Sequence, residues 1–78
     1  MESIINKLKR ASEINTSDVL IGDSDMEAML TELHDEFNKR EVTEEIIDSI
    51  RIKHSNDGIG YPISVENIIV ILPELMKS

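Results

Sequence analysis

Seventy-eight residues without a cysteine leave room for one hydrophobic core in a single domain and remove disulfide staples and thiolate metal sites. Apolar residues make up 40% of the chain, but the only aromatics are Phe37 and Tyr61, so the core must be built from Ile, Leu, Val and Met, which suits packed helices. The formal charge is -8 and its acids are gathered: no Lys or Arg stands between Arg10 and Lys39, whereas Asp18, Asp23, Asp25, Glu27, Glu32, Asp35 and Glu36 do, which disfavours nucleic acid and favours a basic protein partner.

Ile4, Ile5, Leu8 and Ala11 form one apolar stripe at helical spacing and predict a first helix over residues 2–13. Residues 14–23 carry Asn15, Thr16, Ser17, Asp18 and Gly22, which read as a loop with Val19, Leu20 and Ile21 tucked inward. Ser24 followed by Glu27 has the spacing of a capping box, so a second helix is expected to start with Ser24 as its N-cap. Met26, Met29, Leu30, Leu33 and Phe37 supply the buried face of that helix. Thr43, Glu44 and Glu45 repeat the start signal for a shorter third helix, with Ile46, Ile47 and Ile50 facing inward. Residues 54–62 then combine an Asn-Asp-Gly turn, a second glycine and a proline, so regular structure should lapse and residues 51–63 should be the least ordered internal segment; a hairpin there is the weaker alternative. Ser64 caps a final helix, with Val65, Ile68, Ile69 and Leu72 towards the core, and Pro73 should kink or end it. The expected architecture is an all-α four-helix bundle with a long loop before the last helix. Its core is expected to hold Ile5, Leu8, Met29, Leu30, Leu33, Phe37, Ile47, Ile50, Ile68, Ile69 and Leu72. The longest apolar run, residues 68–72, is too short to span a bilayer, and the first residues lack a signal-type apolar region, so a cytoplasmic protein is expected.

Catalytic and metal chemistry finds little support. Asp23, Asp25 and Glu27 have the alternate spacing that opens a calcium loop, but Ala28 stands where that loop needs Gly and His34 where it needs a bidentate Glu. His34 and His54 show no paired zinc spacing and read as surface residues. Ser24, His34 and Asp23 offer the residue types of a triad, yet about 15 Å of helix rise separates Ser24 from His34. Gly22, Gly58 and Gly60 are not spaced as a phosphate loop. A non-catalytic role is expected.

The setting of Ser24 carries a resemblance. Asp23-Ser24 opens an acidic helix just after Leu20, Ile21 and Gly22; DMEAMLTELHDEF follows, then VTEEIIDSI and SVENIIVIL. Over about half its length the chain resembles an acyl carrier protein, with a prosthetic-group serine, an acidic recognition helix, a short third helix and the start of a fourth. Asp25 departs from the apolar residue that the family has after its serine. The loop before the serine is roughly ten residues shorter than the family's and residues 51–63 form an insertion of similar size, changes of small entropic cost. The resemblance implies 4'-phosphopantetheine on Ser24, attached by a phosphopantetheinyl transferase. The arm would carry an acyl or aminoacyl thioester, and Asp23, Asp25, Glu27, Glu32, Asp35 and Glu36 would dock on basic patches of acyl-transferring enzymes. Met26, Met29 and Leu33 would shape an adaptable interior for the chain. The alternative is an acidic helical inhibitor of immunity-protein or antitoxin type, bound to a basic partner such as a nuclease. For it, Asp57, Ile59, Tyr61 and Pro62, followed by Ser64 and Glu66, are similar to the Tyr-Pro recognition segment of bacteriocin immunity proteins, with Tyr61 as an exposed anchor.

Overall fold

The computed structural model describes residues 3–14, 19–56 and 58–77. Its elements run α1 (Ile4–Ser12), β1 (Leu20–Ile21), α2 (Asp23–Lys39), α3 (Glu44–Lys53), β2 (Tyr61–Pro62) and α4 (Val65–Lys77). Four helices dominate and the only sheet among the described residues is the pair β1–β2, so the fold is an all-α four-helix bundle. The order helix, short strand, helix occurs twice, and the two units meet strand to strand. Leu20 stands opposite Pro62 and Ile21 opposite Tyr61 in antiparallel register. Ile63 N donates to Val19 O (3.1 Å), which extends the seam at one end, and Asn56 N donates to Leu20 O (2.8 Å) in an isolated antiparallel bridge.

Local signals set most of the helix starts. The Ser3 hydroxyl accepts from Asn6 N at the head of α1, and Thr43 does the same for Ile46 N at the head of α3. At α4 the cap is reciprocal: Asn67 N donates to the Ser64 hydroxyl while Ser64 N donates to Asn67 Oδ1. The second helix departs from expectation. It begins two residues earlier, at Asp23, with extended Gly22 rather than Ser24 as N-cap and no side-chain cap bond, so Ser24 lies inside the first turn and the capping box with Glu27 does not form. The reason is geometric, since β1 ends at Ile21 and leaves Gly22 alone to turn the chain into the helix.

The buried face of α2 is Met26, Met29, Leu30 and Leu33, with Phe37 partly covered, as the periodicity requires. Other positions depart from expectation or go beyond it. Ile69 is exposed rather than in the core, because α4 buries Ile68, Ile71 and Leu75; the apolar run 68–72 has no polar residue to mark which side faces out. Of the two outcomes expected at Pro73, a kink or an end, the end does not occur: α4 continues to Lys77 and thereby brings Leu75 into the core. Ile21, expected to tuck inward, is fully buried at the end of β1, and Ile63, just beyond β2, is fully buried although no helical stripe marked it as core. No regular element lies between Lys53 and Tyr61 among the described residues, as expected, but the far end of this segment is strand rather than loop and pairs with β1 instead of forming a hairpin. α3 runs on to Lys53, β2 pairs with β1, and Arg51 Nη1 donates to Ile63 O (2.8 Å) while Nη2 meets Asp48. Asp57 and residues 15–18, also read as turn or loop, lie outside the described residues.

Gly60 shows why the seam closes. Its φ is +141°, and a Cβ there would stand 2.6 Å from the backbone carbon of Ile21, so the two units can approach this closely only at a glycine. α4 packs against α1, α2 and α3 and is the centre of the bundle. None of the helices among the described residues is long and apolar enough to cross a membrane.

Candidate functional site

The first turn of α2 carries the serine singled out above. Ser24 is exposed, as an attachment point requires, and its hydroxyl is not used as a cap. Its neighbours are engaged. Asp23 pairs with Lys9 Nζ at 2.6 Å, and the carboxylate of half-buried Asp25 accepts from the Asn56 side chain across the seam. The Asp23 carboxylate raises the pKa of Lys9, chiefly through that hydrogen bond. Lys9 also lies 5.2 Å from the Tyr61 ring centroid. Tyr61 is partly buried against the core, so it is a piece of the seam rather than the exposed anchor expected of it.

Further along α2 the acids divide into two groups. Glu32 accepts from His54 Nε2 (2.9 Å) and Lys53 Nζ (3.0 Å), tying α2 to the end of α3. His54, and next Lys53, hold the Glu32 carboxyl below its ordinary pKa by hydrogen bonding to its charged form. Glu36 accepts from Arg40 Nε at 2.9 Å. Glu27 and Asp35, by contrast, are exposed and form no ion pair with any described residue. His54 and His34 are both half-buried, and His54 works as a link between helices rather than as the surface residue expected.

Beside these acids a groove of about 350 Å³ runs between α2 and α3, lined by Glu32, Glu36, Arg40, Glu45, Ile46 and Ser49. Glu45, exposed in the first turn of α3, adds its carboxylate to that groove, while its exposed neighbour Glu44 stands at a second cleft with Val65 and Glu66 of α4. In the sequence these two serve only as a helix-start signal; their charge is visible there, but the place of Glu45 beside α2 is not. The seven residues proposed for partner contact therefore do not form one surface. Glu27 and Asp35 lie open, Glu32 and Glu36 form a groove wall already neutralised in part, Asp23 and Asp25 are tied at the seam, and Tyr61 lies at the strand pair.

Asp23, Asp25 and Glu27 sit at alternate positions of a helix rather than on a loop, and no group of three or more His, Asp or Glu converges among the described residues. The helix–loop–helix units have the outline of a calcium hand, and counting Ser55 as position one places Gly60 at six and Glu66 at twelve. Ile59 then takes position five and Ile63 position nine, where such a loop needs oxygen ligands or water. Compared with protein-family models, curated proteins and solved structures, the chain gives no significant match.

Proposed function

We propose that this protein is a non-catalytic docking module of the cytoplasm, recognised through the exposed acids of α2 and α3 by a protein with a basic surface. The observation that supports this reading is the division of charge. Glu27, Asp35, Glu44 and Glu45 are exposed and unpaired among the described residues, while Lys9, Arg40, Arg51 and Lys53 are held in internal ion pairs. A basic partner would meet carboxylates without having to displace the protein's own cations. The test is binding to a partner captured by cross-linking in the producing cell. Affinity should fall with added salt and with Glu27→Lys, Asp35→Lys, Glu44→Lys and Glu45→Lys combined. Affinity indifferent to both would overturn the reading.

A more specific form of this role is a carrier, and the exposed, uncapped hydroxyl of Ser24 favours it. The Ser24 oxygen would attack the β-phosphorus of coenzyme A in a separate transferase. That forms a phosphodiester to 4'-phosphopantetheine, expels 3',5'-adenosine bisphosphate and passes the hydroxyl proton to a base of the transferase. The arm would then carry an acyl or aminoacyl thioester while the acids dock the acyl-transferring enzymes. Incubation with coenzyme A and a promiscuous phosphopantetheinyl transferase distinguishes this form from the inhibitor form. A mass gain of one arm on wild type and none on Ser24→Ala supports the carrier. No gain with several transferases leaves an inhibitor of immunity-protein or antitoxin type, whose recognition would rest on the acids, since Tyr61 is committed to the seam.

A further inference from the structure

The outer side of α4 does not match the acidic surface just described. Val70 and Met76 are 76% and 60% exposed on a helix whose core face is already complete with Ile68, Ile71 and Leu75. Ile14, 92% exposed at the end of α1, stands with Val70 at a cleft of about 500 Å³ between α1 and α4, so the apolar area continues across two elements. Exposed apolar residues gathered in this way mark an interaction surface more often than isolated ones do.

The row along the middle of this face identifies the occupant. Glu66, Val70, Pro73 and Lys77 are all exposed and fall at i, i+4, i+7 and i+11, one straight stripe that reads acid, apolar, apolar, base. A stripe of this kind is complementary to itself when turned end for end. In an antiparallel pair related by a two-fold axis, Glu66 meets Lys77 of the second copy, Val70 meets its Pro73, and both contacts occur twice. A basic partner would leave Lys77 opposed, whereas a second copy of this chain satisfies both ends and covers the apolar centre.

We propose that α4 is a homodimer interface, packed antiparallel on α4 of a second copy through Glu66, Val70, Pro73 and Lys77. It leaves the open acids Glu27 and Asp35 of α2 outside the contact and does not depend on the docking role. Two copies that each carry -8 repel one another at long range, so association is favoured once salt screens that field within about 10 Å, near 0.1 M.

Sedimentation equilibrium at about 0.15 M salt tests the proposal, with circular dichroism to confirm that each variant folds. Wild type should be a concentration-dependent dimer, and Val70→Asp a monomer over the same range. Lys77→Glu sets carboxylates against Glu66 at both ends and should weaken association roughly tenfold. Glu66→Lys together with Lys77→Glu exchanges the charges and should restore it to within about threefold of wild type. A wild type that stays monomeric up to about 1 mM would overturn the proposal. So would a dimer that ignores Val70→Asp and Lys77→Glu, or a double exchange that fails to rescue.

Discussion

The two helix–strand–helix units share an order but differ in how each strand hands over to its helix. In the first, Ile21 is followed by Gly22 and α2 begins without a side-chain cap; in the second, Ile63 is followed by Ser64, which forms a reciprocal cap with Asn67. Their outer faces differ too, since α2 shows acids to solvent and α4 shows Val70, Pro73 and Met76. One packing framework therefore carries two surfaces of opposite character. The features held in common, a buried isoleucine at or just after each strand and a glycine next to each strand, belong to the framework.

The largest effect is expected where the units touch. Gly60→Ala should cost about 2 to 6 kcal/mol, from positive-φ strain and the clash with Ile21 backbone together. Gly22→Ala, at φ -77° and with only side-chain atoms 3.2 Å and 3.5 Å from the new methyl, should cost about 1 kcal/mol. Urea denaturation of both variants would reveal an error in the seam if the two losses were equal. Next, Ile21→Ala and Ile63→Ala should each cost about 2 to 5 kcal/mol, because both side chains are fully buried in one core. A loss confined to one of them would mean that the units do not share that core.

The caps sharpen the contrast at a smaller scale. Ser64→Ala should cost about 1 kcal/mol and Ser24→Ala less than about 0.5 kcal/mol, measured by the same denaturation. The reverse order would restore Ser24 as a cap and count against a free hydroxyl. The smallest effect concerns the link from α2 to α3. The pKa of Glu32 is lowered in the folded state, so the stability it contributes is present above its ordinary value of 4.5 and is lost as pH falls through the lowered one. Glu32→Gln should accordingly lose less stability than wild type on titration from roughly pH 5 to pH 3. Matching acid limbs would show that the contact with His54 and Lys53 is too solvated to matter.

The acidic site was legible as composition but not as a surface. The acids of α2 were visible as a run without bases, but which of them stay open depends on Lys9, Lys53 and His54 arriving from other elements. Ser24 shows the same limit. Its identity and exposure could be read, while its place within the first turn rather than at the cap followed from where β1 ends.

The sequence by itself determined the four helices, the inward face of α2, the caps at Thr43 and Ser64, and the acidic character of the first half. Each of these is a relation within about four residues, the range over which helical periodicity and capping act. Only the tertiary structure decided the pairing of β1 with β2, the burial of Ile63, the passage of α4 through Pro73 and the outward turn of Ile69. The strand pair joins backbone groups far apart in the chain, which no local pattern records. An unbroken apolar run such as residues 68–72 has no polar side, so its inward face is chosen by the neighbours it packs against.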